Sequence, residues 1–240
     1  MDYVDANTCF GSAPGRRFDV SAQQLVEILK REGIGRAVTA SLAGAYLGPE
    51  EGNAETLEAC RRHSELLPAA TADPRSYFGR DELVLRARRQ GCVLLRLFNG
   101  LQGWPVDFAP VRVILQEARD AGMPVMLDAA ARGEITRACR LAAEVGVTLI
   151  VSEIGYQGLS EIIVCMTEFP QVYAETSRIV TPDGLGVMCR EVGSERLLFG
   201  TGAAVNYVGG PKLTLTGSGL GADDVRRIAS RNVLELLGRP

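Results

Sequence analysis

Eight short apolar runs alternate with eight amphipathic segments along this chain, a pattern that a parallel sheet with crossover helices satisfies and few other folds do. The runs occupy residues 3–8, 36–41, 66–71, 93–98, 124–129, 148–153, 172–176 and 196–201. They are rich in valine, leucine and isoleucine, as strands covered on both faces are. The first amphipathic segment is well marked: Ser21 serves as N-cap with Gln24 as its capping-box partner, Leu25, Ile28 and Leu29 supply the apolar stripe, and Gly33 stops it. Seven further helices are expected at residues 54–65, 81–90, 110–121, 134–145, 160–169, 182–192 and 223–237. An open doubly wound sheet would normally carry a G-x-G-x-x-G loop after its first strand. Residues 9–15 read CFGSAPG instead. The expectation is therefore an α/β fold of the closed (β/α)8, or TIM-barrel, type, one domain over residues 1–240, a usual length for such barrels.

Composition removes several function classes. Hydrophobic residues at 46% and charged ones at 23% suit a soluble globular protein; no apolar stretch approaches the ~18 residues of a membrane span. A net charge of −3 offers no basic patch to nucleic acid or to an anionic membrane, so neither is expected as a partner. The opening MDYVDANTCF has no basic residue, unlike a secretion signal, and a cytoplasmic location is expected. Six cysteines without a C-x-x-C pair read as reduced thiols and not as a zinc cluster. Lys30 and Lys212 are the only lysines, which leaves Schiff-base chemistry few candidates.

Several segments, in order, carry a resemblance. DANTCFG at residues 5–11 keeps the frame of a D-x-H-x-H-x-G opening; HSELLPAATADPRS follows a helix preceded by Asn53; then come PVMLDAA, LIVSEIG, VYAETS and RLLFGTGAAV, and RRIASRNVLELLG closes the chain. Together they resemble the amidohydrolase-related barrels, a family of metal-dependent hydrolases and decarboxylases. The resemblance implies a metal site built from two strand-one histidines, histidines ending strands five and six, and a strand-eight aspartate. In this chain those places hold Asn7, Cys9, Asp128, Glu153 and Gly202.

Asparagine is a poor zinc ligand and glycine is none, so no metal or other cofactor is expected. Cys9, Asp128 and Glu153 leave open a weakly bound hard cation such as magnesium or calcium. The sole histidine, His63, falls at the end of the second helix, on the face away from the usual active site, and is expected at the surface.

The strand ends gather Asn7, Cys9, Arg96, Asp128, Glu153, Glu175 and Ser177 at one mouth. Asp128 and Glu153, held close, would push one pKa up and serve as acid and base; Cys9 is the candidate nucleophile. Asn7, Arg96, Glu175 and Ser177 are candidate ligand contacts. Arg96 either neutralises Asp128 and Glu153 or grips an anionic ligand. Lys212, beside Gly209 and Gly210, is placed where such barrels often bind phosphate. Trp104 and Tyr156 are expected on the same face as a lid or an oligomer contact, and a homodimer is one expected assembly.

Two readings follow. The first is a divergent barrel without the family's metal site that binds a small molecule in its mouth or acts as a non-catalytic homologue. The second is a hydrolase, decarboxylase or lyase acting on a small carboxylated substrate.

Overall fold

The computed structural model describes residues 1–14, 18–77, 82–181 and 183–238. Gly15, and Asp81 and Pro182 at the expected starts of two helices, lie outside them. Strands β1 (Val4–Ala13), β2 (Phe18–Val20), β3 (Arg36–Ser41), β4 (Leu66–Thr71), β5 (Leu94–Leu97), β6 (Val125–Asp128), β7 (Leu149–Ser152), β8 (Val172–Glu175) and β9 (Leu197–Leu198) form one sheet in the order β2-β1-β3-β4-β5-β6-β7-β8-β9. All neighbours run parallel except β2, which returns antiparallel along the end of β1. The sheet closes: Ala6 N–H donates to Phe199 O at 2.8 Å and Gly202 N–H to Asn7 O at 2.9 Å, with a bridge between Thr8 and Ala203. The eight parallel strands fall where the apolar runs predict them, and the closed barrel is confirmed.

The helices are α1 (Ala22–Arg31), α2 (Ala43–Tyr46), α3 (Pro49–Arg62), α4 (Leu83–Arg89), α5 (Asn99–Gln102), α6 (Ala109–Asp120), α7 (Glu134–Val145), α8 (Leu159–Glu168), α9 (Gly184–Val192), α10 (Gly209–Thr216), α11 (Ala222–Arg226) and α12 (Asn232–Leu236). The Ser21–Gln24 capping box forms in both directions at the start of α1. Gly33 follows that helix at φ +70°, the left-handed conformation that ends it without a Cβ penalty. One expected helix over residues 223–237 is instead α11 and α12 joined by a π-helical stretch, Arg227–Arg231.

The clearest departure is α3, which starts at Pro49 and not at residue 54. Proline at the first position and Glu50 and Glu51 in the first turn favour a helix start there. Asn53 therefore lies inside the helix, buried, where its Nδ2 donates to Thr71 O at 3.1 Å and its Oδ1 accepts from Thr71 N–H at 2.6 Å. Gly52 lets α3 lie against α2, since a Cβ there would stand 2.2 Å from Gly44 N.

Apolar side chains fill the barrel: Val38, Leu67, Leu94, Met126, Ile150 and Leu198 belong to one buried cluster, and a second cluster packs the helices onto the outside. Along a strand, every second residue shares a face. Two positions beyond Leu94, Met126 and Ile150 come Arg96, Asp128 and Ser152, so the apolar interior gives way to a polar layer at the C-terminal ends. A register shift between Asp5 and Thr8 re-aims β1 at the same level.

Candidate ligand pocket at the barrel mouth

A cavity of about 410 Å³ opens at that polar layer, with Asn7, Cys9, Arg96, Asp128, Glu153 and Arg178 among its lining and Leu42, Phe98, Leu101 and Val205 as apolar walls. At its base, Arg96 donates from Nη2 to Asp128 Oδ1 at 2.5 Å and from Nη1 to Leu97 O at 2.6 Å, while its guanidinium carbon lies 4.8 Å from the Phe98 ring centroid. Ser152 Oγ donates to the same Asp128 oxygen at 2.9 Å. Asn99 in α5 clamps the strand end: its Oδ1 accepts from Asp128 N–H at 2.9 Å and its Nδ2 donates to Asp128 O at 2.7 Å. A guanidinium has five N–H groups, and two of those on Arg96 are engaged. Its Nε is buried without a hydrogen-bond partner.

Glu153 follows β7 at φ +60°, an unusual conformation for a residue with a side chain and one that concentrates at functional sites. Its Oε2 lies 3.4 Å from Arg178 Nε. The two carboxylates expected to act on each other thus each face a guanidinium of their own. Arg178, in the loop after β8, and Asn206, beyond β9, line the pocket, yet neither stands out in the sequence, because loop residues carry no periodicity that assigns them a face.

Asp5 and Glu175, both completely buried, have raised pKa values. Desolvation pushes each up to about 7 against the pull of its hydrogen bonds. Asp5 Oδ1 accepts from Asn7 N–H at 2.9 Å and Thr201 N–H at 3.1 Å. Glu175 accepts from Asn7 Nδ2 at 3.0 Å, Ser177 N–H at 2.6 Å and Ser177 Oγ at 2.9 Å. Glu175 and Ser177 therefore sit behind Asn7 and do not line the cavity.

Desolvation likewise raises the Cys9 thiol to about 11, and the nearby charge of Arg96 only partly offsets it. The thiolate is the reactive form, so Cys9 makes a poor nucleophile. Alkylation of Cys9 by iodoacetamide near pH 8 is expected to run about 100-fold slower than that of a free thiol; peptide mapping that showed a rate close to the free thiol would contradict this.

Three further expectations need correction. Lys212 lies in α10, where Nζ donates to Glu32 O and stands 5.2 Å from the Tyr3 ring centroid; both partners lie at the N-terminal end of the barrel, so Lys212 is absent from the mouth. Trp104 is buried with its Nε1 donating to Gln102 Oε1 at 2.9 Å, which removes it as a lid. Asn53 belongs to a helix interior, as described above. Tyr156 is exposed after β7, and His63 closes α3 where the chain turns into β4, on the face away from the pocket.

A closed parallel barrel with a polar mouth at its C-terminal end defines a TIM-type barrel, and its solved neighbours include a putative amidohydrolase from Staphylococcus aureus and several decarboxylases. A 2,6-dihydroxybenzoate decarboxylase bound to 2,6-dihydroxybenzoate is similar with a TM-score of 0.79 at 13% identity, over 99% of each chain. The 5-carboxyvanillate decarboxylase of Sphingomonas paucimobilis gives 0.79 at 10% identity, over 100% of this chain and 99% of that one. A dihydroxybenzoic acid decarboxylase of Polaromonas sp. JS666, with bound manganese and the inhibitor 2-nitroresorcinol, gives 0.76 at 12% identity, over 99% and 97%. No protein-family model and no curated protein sequence matches the chain. At these identities the likeness establishes the fold. Among the described residues no helix is long and apolar enough to cross a membrane.

Proposed function

We propose that the barrel mouth binds a small carboxylated molecule through Arg96 and does so without the metal centre of the family it resembles. The observation that carries this reading is Arg96 itself: a guanidinium at the base of a half-apolar cavity, with N–H groups left over after its bonds to Asp128 and Leu97 O. Planar, multiply donating guanidinium suits a carboxylate better than any other side chain does.

The donor set does not fit a transition-metal centre. No group of three or more His, Cys, Asp or Glu comes together for a metal among the described residues. Asp128 and Glu153 are each paired with an arginine, whose charge repels a cation. At the strand-eight position Gly202 has φ +67°, and a Cβ there would stand 2.3 Å from Asn206 Nδ2, so an aspartate could not be accommodated without moving Asn206. All six cysteines are free thiols, which supports a reducing, cytoplasmic setting.

Isothermal titration calorimetry with a panel of small aromatic and aliphatic carboxylates tests the reading, with the corresponding primary amides as controls and metal content measured after dialysis against chelator. Acids are expected to bind and amides not to, on protein free of stoichiometric metal. Equal affinity for both, or a metal that survives dialysis, would overturn it.

A second reading is decarboxylation, supported by the three neighbours, each a decarboxylase. Loss of CO2 leaves an electron pair on carbon that must take a proton, and Asp128 and Glu153 are the two carboxyls of the pocket through which a proton from water would be relayed to that carbon. Release of CO2 that stops in Asp128→Asn would support this reading, whereas unchanged release in both Asp128→Asn and Glu153→Gln would remove it.

A further inference from the structure

We infer that Asn7 selects ligands that present a hydrogen-bond donor, and that Glu175, which does not touch the pocket, is the positioning residue that sets this preference by fixing which end of the Asn7 amide faces the ligand. The inference deepens the ligand reading above and rests on it for the place of binding.

An amide has a donating end and an accepting end of nearly the same size, and its neighbours decide which end points where. Asn7 is bound from behind: its Nδ2 donates to Glu175 Oε2 at 3.0 Å and its backbone N–H to Asp5 Oδ1 at 2.9 Å. Glu175 cannot turn away. Ser177 holds it with its N–H on Oε1 at 2.6 Å and its Oγ on Oε2 at 2.9 Å, and Gly200 is what admits it, since a Cβ there would stand 2.0 Å from Oε1. An ionised carboxylate only accepts hydrogen bonds, so it binds the NH2 end of Asn7. That leaves Oδ1, which takes no hydrogen bond from the described residues, as the atom Asn7 offers to the cavity it lines. A ligand N–H or O–H meets a partner there. A ligand acceptor at the same spot meets a lone pair, and mismatches of this kind in a desolvated site are heavily disfavoured.

Replacing Glu175 by glutamine reverses the logic. The fixed Ser177 N–H requires the glutamine carbonyl, which turns the new NH2 toward Asn7. Asn7 then answers with Oδ1, and its Nδ2 faces the cavity. The test is calorimetry with ortho, meta and para aminobenzoates against the fluorobenzoates of the same pattern, near pH 8.5 so that Glu175 is ionised. In the natural protein one ring position is expected to favour the amine by about tenfold or more. Glu175→Gln should invert that preference, and Asn7→Ala should make the two affinities equal. A loss of affinity that is the same for amine and fluoride in Glu175→Gln marks a merely structural role and overturns the inference, as does equal binding of the pair to the natural protein.

A measurement without ligand separates this inference from the carboxylate reading. In protein labelled with 15N-asparagine, the Asn7 side-chain NH2 is expected to exchange with solvent slowly, and quickly in Glu175→Gln. If no benzoate binds while the exchange rates differ in this way, the carboxylate reading fails and the orientation of Asn7 stands. Equal exchange rates overturn the orientation.

Discussion

Arg96→Met will lose detectable carboxylate binding and will destabilise the protein by about 3–5 kcal/mol, the usual result of removing one partner from a buried ion pair. The side chains of Arg96 and Asp128 are 10% and 12% exposed, and their contact is 2.5 Å. Without the guanidinium, Asp128 Oδ1 keeps only the Ser152 hydroxyl, too little to hold a charge away from water. Stacking on Phe98 is lost as well, though methionine retains much of the apolar contact. Urea denaturation together with calorimetry separates the two roles of Arg96. The double variant Arg96→Met with Asp128→Leu should recover most of the stability, because an apolar pair of similar volume often replaces a buried ion pair at little cost. It should recover none of the binding. If Arg96→Met bound carboxylates as the natural protein does, Arg96 would serve only the network with Asp128, and the anion contact would have to be sought elsewhere.

The second large effect is on stability against pH. Asp5 and Glu175 are completely buried, every hydrogen bond they accept comes from an uncharged donor, and each is raised to about 7 from 3.8 and 4.5 respectively, first by desolvation. The charge of Asp5 adds to the rise at Glu175. Between the unfolded and folded values the native state holds more protons than the unfolded chain, so stability falls as pH rises. The favourable contribution is complete below about pH 4 and is lost as the pH passes through 7, by an amount on the order of 3–4 kcal/mol for each carboxyl. Asp73 and Glu161, lowered by their hydrogen bonds, act in the opposite sense, but below the normal carboxylate range and outside this window. Urea midpoints measured from pH 5 to 8 should decline, and Asp5→Asn should flatten the decline. A midpoint that rose over this interval would show that the two carboxyls are already ionised in the folded protein.

Both effects arise from polar groups in a closed barrel, and they bear on how much the sequence itself could show. The strands were legible because period-two burial and apolar composition act locally: β3, β4 and β8 begin at the residue where their apolar runs begin, and the capping box at Ser21 involves atoms three residues apart. The start of α3 lies before the expected residue 54, and only the approach of Gly44 explains why Gly52 is suited to that helix. Position at the ends of β5 and β6 likewise places Arg96 and Asp128 at the mouth, and that position needs no knowledge of the rest of the chain.

What faces what is another matter. Asn7 meets Glu175 across 168 residues and Asp5 meets Thr201 across 196. Arg178 reaches Glu153 from a loop whose path no pattern encodes. Lys212 sits near a strand end in the sequence and yet turns to the other end of the barrel. The sequence by itself determined the barrel and the strand-end residues Asn7, Cys9, Arg96, Asp128 and Glu153 of its C-terminal rim, because periodicity and burial are properties of neighbouring residues. The tertiary structure alone decided which carboxylate each arginine neutralises, which carboxyls are left to desolvation and which end of Asn7 meets the pocket, because those depend on closure of the sheet, which brings β1 against β9 and joins residues the chain holds far apart.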